Sequence, residues 1–200
     1  MNQALIVVDI QRDFCPGGAL PVTNGDKIIP AVNELVRAFE KASLPVFFTR
    51  DWHPRNHISF KASGGMWPPH CIRNTPGASF HPSLKVPRDA EVIDKGTLQA
   101  EDAYSGFQGT DLEQKLNDLH VVQIYVAGLA TDYCVKNTVV DGAAKGFDMW
   151  VITDCVKGVN LKPTDSDTAL RTMLSQGAKK MTSDRLLKSL SRRAAAPLSS

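Results

Sequence analysis

Cysteine, lysine, aspartate and histidine recur along these 200 residues in short contexts able to make or hold a nucleophile. The run Gly128-Leu-Ala-Thr-Asp-Tyr-Cys134-Val follows an apolar stretch and opens a helix-like one, which places Cys134 in a first helical turn capped by Thr131 or Asp132. Free backbone N–H groups and the positive end of the helix dipole favour a thiolate there, and the same N–H groups can hold an oxyanion. One element would then supply both the nucleophile and the hole for its tetrahedral intermediate. By residue type alone, Cys134 fits equally well as a cysteine packing a helix onto a sheet. Cys15, Cys71 and Cys155 read as structural, and no Cys-x-x-Cys pair is present.

Asp9 interrupts the apolar run Ala4 to Ile10, where an ionised carboxylate is costly unless it has a partner. Lys95 directly follows the apolar-centred segment Glu91 to Asp94 and precedes Gly96, so it points into the same rim. In Asp51-Trp-His53-Pro, residues two apart in an extended segment face the same way, and Pro54 favours extended geometry at His53. A carboxylate and an imidazole on one face make half of a metal site, to be completed by His57, His70 or His81. In Trp67-Pro-Pro-His70 a stiff segment holds one of these histidines beside an aromatic ring.

These residues need a frame that brings strand ends together. Ala4–Ile10, Val46–Thr49, Glu91–Asp94, Val121–Val126 and Met149–Ile152 are short apolar runs, and a further short strand is expected over 179–181. Between them lie segments of helical spacing, at about Ile28–Ala42, Asp111–Leu119, Asp132–Lys145 and Thr164–Gln176. Nearly continuous apolar strands separated by helices predict a three-layer α/β/α domain with a mostly parallel, doubly wound sheet. Such sheets bind ligands beyond the carboxyl ends of their strands, where Asp9, Asp51 and the Gly128–Cys134 turn fall. The stretch Trp52 to Asp89 is rich in proline and histidine and reads as a long functional loop. The expected organisation is one domain over 1–190 and a flexible tail over 191–200.

Composition narrows the partners. A net charge of +2, with no basic stretch interleaved with aromatics, argues against nucleic acid. No segment reaches the roughly 18 uninterrupted apolar residues that a bilayer requires, and the N-terminal stretch lacks the pattern of a signal peptide. A cytoplasmic protein with reduced thiols is expected, with a small molecule as its partner and homo-oligomerisation left open.

Taken in order, six motifs resemble the nicotinamidase branch of the isochorismatase-like cysteine hydrolases. They are Val-Val-Asp9-Ile-Gln-Arg-Asp-Phe, Asp51-Trp-His-Pro-Arg-Asn-His-Ile-Ser-Phe, Trp67-Pro-Pro-His-Cys, Ile-Asp-Lys95-Gly, Ala103-Tyr-Ser-Gly-Phe107 and Gly128-Leu-Ala-Thr-Asp-Tyr-Cys-Val, within about residues 4–182. The resemblance implies a catalytic triad of Asp9, Lys95 and Cys134, and one divalent metal ion on Asp51, His53 and His70. Zinc is the expected ion, with iron or manganese as alternatives. It further implies a cis peptide before Ala130 that turns the N–H groups of Ala130 and Cys134 toward the substrate oxygen. The implied reaction is hydrolysis of nicotinamide to nicotinate and ammonia through a cysteine thioester. Phe14, Leu20, Trp67 and Tyr104 would form a flat slot for the ring. The alternatives are a carbamoyl or ureido amidohydrolase of the same fold, which keeps the triad but need not keep the metal set, and a non-catalytic thiol-bearing binder.

Overall fold

The computed structural model describes residues 2–194. Six strands form one sheet: β1 (Asn2–Val8), β2 (Val46–Asp51), β3 (Glu91–Lys95), β4 (Val121–Leu129), β5 (Asp148–Lys157) and β6 (Lys179–Met181). Their order is β3-β2-β1-β4-β5-β6, and every neighbouring pair is parallel. The helices are α1 (Ile29–Lys41), α2 (Leu112–Asp118), α3 (Lys136–Ala144), α4 (Asp165–Ser175) and α5 (Ser183–Ala194).

Parallel strands require crossovers, and the crossover helices cover both faces of the sheet. β1 shows the consequence residue by residue. Leu5 and Val7 pack into one core with Val32, Leu35, Val36 and Phe39 of α1 and Leu186 and Leu190 of α5. Ala4, Ile6 and Val8 alternate into a second core with Leu112 and Leu116 of α2, Val139 of α3 and Met173 of α4. Both faces are dry, which is why the strands read as continuous apolar runs.

The chain reverses direction across the sheet between β1 and β4. That switch point opens a crevice at the carboxyl ends of the strands. β4 extends past the apolar run that marks it, because Gly128 lets it close on β1: a Cβ there, at φ +121, would lie 2.0 Å from the Val8 carbonyl oxygen. β5 is also longer than its apolar core, and its pairing with β4 slips between Val126 and Gly128.

One further element lay outside the sequence expectation. α5 has no counterpart there, although Leu186 and Leu190 are spaced one turn apart on its buried side. Its first residue is held by Asp154 within β5, whose carboxylate accepts hydrogen bonds from Ser183 N–H (2.8 Å) and Oγ–H (2.6 Å). The helix runs through residues 191–194 of the expected tail, and residues 195–200 of that tail lie outside the described residues.

Candidate active site

Four strand ends deliver the reactive side chains. Asp9 follows the last residue of β1 in a left-handed conformation (φ 48), with its N–H on Thr49 O at 3.1 Å and its Oδ1 accepting Thr49 Oγ–H at 2.6 Å. Asp51 and Lys95 end β2 and β3 and are paired in register, so their side chains leave the sheet together. β4 leads through a cis Leu129–Ala130 peptide into a single π-helical turn, Thr131–Val135, that carries Cys134. Such turns recur at functional sites.

Lys95 is the hub. Its Nζ lies 2.9 Å from Asp9 Oδ2 and 3.4 Å from Cys134 Sγ, donates to Asp51 Oδ1 and reaches Ala103 O at 3.3 Å. Asp9, Asp51 and Cys134 present atoms that all lie within 4.8 Å of one another, and all are buried. The Asp9 carboxylate thus faces both the Lys95 ammonium, 2.9 Å from its Oδ2, and the Cys134 thiol.

Burial pushes the Cys134 thiol well above its ordinary range; Lys95 pulls it down, and Asp9 and Asp51 push it up. Burial likewise raises Asp9 against the pull of Lys95. For Lys95 burial acts the other way, but Asp51 and Asp9 outweigh it and hold the ammonium charged. Burial thus opposes the thiolate that the helix end was expected to favour, and a base beside the thiol would help to form it. The expected cap is also absent: neither Thr131 nor Asp132 caps the turn, which starts at Ala130 without a side-chain bond. Ala130 O instead accepts from Tyr133 N–H (3.0 Å) and Val135 N–H (3.1 Å), passing over the Cys134 N–H between them.

Asp51, His53 and His70 form a second cluster, all buried, with ligand atoms within 4.8 Å of one another. His53 Nδ1–H donates to Gly96 O and His70 Nδ1–H to Pro68 O, each at 2.8 Å. A carbonyl only accepts, so these bonds fix the tautomers and turn both Nε2 lone pairs toward Asp51 Oδ2, at 3.5 and 3.9 Å. Three acceptors converging with no donor among them suit a divalent cation. Burial resists protonation of His53, but Asp51 outweighs it and raises that imidazole, while burial lowers His70.

His57 lies behind this cluster, stacked on His53 at 4.0 Å, with Nδ1 accepting from Ser59 Oγ–H (2.7 Å) and Nε2–H donating to Glu101 O (3.0 Å). Both of its nitrogens are used, so it supports the cluster from behind. Gly96 has φ +59, and a Cβ there would fall 2.5 Å from His53 Cε1. Gln11 was not singled out in the sequence, yet it fixes the backbone of Asp51. Its Oε1 accepts Asp51 N–H (2.8 Å), and its Nε2 donates to Asp51 O (2.8 Å) and Ala78 O (2.9 Å).

Between the two clusters lies a narrow cavity of about 40 Å³, onto which Cys134, Asp51 and His70 open. Phe14, Leu20, Trp67 and Tyr104 line it, and Trp67 Nε1–H donates to Tyr104 Oη at 2.9 Å. Tyr133 and Val159, which sequence reasoning missed, complete the walls. Tyr133 could have been found from its place beside Cys134, and Val159 from its place just beyond the end of β5. A roomier groove of about 670 Å³ between α1 and α5 is lined, among the described residues, by no Cys, His, Asp or Glu.

Known proteins resemble the chain in sequence and in fold. The chain is 40% identical over 197 residues to the nicotinamidase of Escherichia coli (strain K12), covering 88% of this chain and 92% of that one. The pyrazinamidase of Pyrococcus horikoshii in complex with zinc is 50% identical, with a TM-score of 0.87 over 91% of this chain and 99% of its own. The yeast nicotinamidase bound to the inhibitor nicotinaldehyde superposes with a TM-score of 0.82 at 26% identity, over 90% and 99% of the two chains. Residues 3–185 match the model of the isochorismatase domain, and with the strand order, the cysteine turn and these relatives they establish that the chain belongs to the isochorismatase family.

Proposed function

We propose that the protein is a nicotinamidase, hydrolysing nicotinamide to nicotinate and ammonia as in NAD salvage. The observation that carries this reading is one buried Lys95 touching both Asp9 and Cys134, beside the convergent Asp51, His53 and His70 and a narrow slot walled by aromatic side chains. The names of the similar proteins point the same way.

Asp9 Oδ2 takes the thiol proton, and Cys134 Sγ attacks the carboxamide carbon. The charge gathered on the carboxamide oxygen is held by the N–H groups of Ala130 and Cys134. Collapse of that adduct expels ammonia, which carries the proton returned by Asp9, and leaves a thioester. Asp9 then deprotonates a water that attacks the thioester; nicotinate departs and the proton goes back to sulfur. Lys95 stays charged throughout and steadies the carboxylate and the sulfur anion in turn. Asp51 Oδ2 and the Nε2 atoms of His53 and His70 would hold a divalent ion, zinc for preference with iron or manganese able to replace it, which supplies a Lewis-acid site for the pyridine nitrogen.

All four cysteines are free thiols, as suits a cytoplasmic setting. No helix among the described residues is long and apolar enough to cross a membrane. The deciding assay is ammonia release from a panel of pyridine carboxamides and of carbamoyl and ureido compounds. Turnover confined to the ureido or carbamoyl set would overturn the substrate assignment, and turnover of none would leave a thiol-bearing binder.

A further inference from the structure

We infer that Asp132 is a positioning residue that sets the width of the ring slot by anchoring its Val159 wall. Asp132 sits two residues before the nucleophile and is 7% exposed, yet it does nothing for its own turn. Its Oδ1 accepts Val159 N–H at 2.9 Å and its Oδ2 accepts Asn160 N–H at 2.8 Å. Asn160 is left-handed (φ 53), the conformation that lets successive N–H groups converge on one anion. Here the anion is a side chain of the nucleophile's own turn.

The anchored loop is tied on its far side as well. Asn160 Oδ1 accepts Ser166 N–H in α4 at 2.9 Å, and a Cβ at Gly158 would fall 2.0 Å from Ser166 Oγ and 3.1 Å from Asp132 Oδ1. Held at both ends, the loop has little room to shift, and Val159 faces the same cavity as Cys134 and Trp67. That cavity, about 40 Å³, is far below the roughly 300 Å³ at which ligand clefts begin, so small movements of one wall decide which rings fit. Asn at 132 would keep one acceptor but turn an NH2 group against the other backbone N–H, releasing half of the anchor.

The inference rests on the pyridine-carboxamide reading for its choice of ring. Its test compares wild type, Asp132→Asn, Val159→Ala and the double variant. The measurements are kcat and KM for nicotinamide and 5-methylnicotinamide, and the rate at which iodoacetamide, too small to need the wall, alkylates Cys134 as located by mass spectrometry. Asp132→Asn is expected to raise the nicotinamide KM about tenfold with kcat changed less than about threefold, the split expected when binding alone is lost. The preference for nicotinamide over its methyl homologue should fall about tenfold, the scale on which one methyl group is discriminated in an apolar pocket. Alkylation of Cys134 should stay near the wild-type rate, and Val159→Ala should add little in the Asp132→Asn background.

An unchanged preference overturns the inference; so does a kcat that falls together with the alkylation rate, which would place the action of Asp132 on the cysteine turn itself. If Asp132→Asn fails to fold, Val159→Ala decides alone, since an unchanged preference there means the wall does not set the width. If wild type uses some other amide of the panel, the function reading fails separately, and that amide and its methyl homologue replace the pyridine pair under the same outcomes.

Discussion

Lys95 and Asp51, in register at the ends of β3 and β2, form a buried ion pair that joins the nucleophile cluster to the metal-binding trio. The one ammonium therefore neutralises charge in both. Replacing it by a similar-sized neutral chain, Lys95→Met, should slow hydrolysis by about 10²–10³-fold, the usual worth of a group that stabilises developing charge in a dry site. The same change removes a positive charge beside a metal ligand, so zinc should bind more tightly, several-fold in a competition titration with a chelator. Zinc affinity that is unchanged or weaker would show that the ion pair does not couple the two clusters.

Cys134→Ala should abolish turnover with little change in melting temperature, since a small buried side chain is only slightly shortened. Cys15→Ala, Cys71→Ala and Cys155→Ala should keep most activity, and mass spectrometry should find a nicotinaldehyde adduct on Cys134 alone. Asp9→Asn and Lys95→Met should each cost orders of magnitude, and their losses should overlap. Strict additivity of the two free-energy losses in the double variant would break the proposed unit.

The pH profile follows from Asp9. It serves as a base only when ionised, and burial, opposed by Lys95, raises its carboxyl above the ordinary 3.8. kcat/KM should therefore fall as pH drops through a value above that range. Lys95→Met takes away the main opposing influence, so the acid limb of the residual activity should move to higher pH. A shift to lower pH, or none, would argue that another group is the base.

Metal and slot should separate by substrate. Benzamide has the shape of nicotinamide without the ring nitrogen, so metal-loaded enzyme should prefer nicotinamide. Stripping the metal or changing His53→Ala should weaken nicotinamide binding strongly and leave the already poor benzamide nearly as it was. Trp67→Ala should weaken both, because packing against the ring does not depend on the nitrogen. Steady-state hydrolysis of the two amides decides, and equal use of both by loaded wild type would sink the metal's role in recognition.

Legibility in the sequence followed the strength of the local signal. The strands were readable because both of their faces are dry, and the reactive residues because each is a charged or nucleophilic type where the apolar run stops. α5 was passed over because its polar majority hides a two-leucine contact. Gln11 escaped, and Asp132 was read as a cap of its own turn, because their work is done on backbone groups distant in sequence, Asp51 and Ala78 for the first and Val159 and Asn160 for the second. No spacing rule within one segment can show such bonds. The upward push of burial on the Cys134 thiol was hidden for a related reason: a helix end can be read from local sequence, but full burial is a property of the assembled fold.

Gly96 has no side chain with which to do chemistry, yet it gives its carbonyl to His53 Nδ1–H and leaves empty the space that the imidazole fills. Its neighbour Lys95 serves the sulfur while Gly96 serves the metal ligand, so two adjacent codons serve both halves of the reaction centre. A saturation screen scored on ammonia production should thus show Gly96 as intolerant as Lys95, with even alanine rejected. Read by residue type alone, such a screen would misfile a steric requirement as a catalytic one.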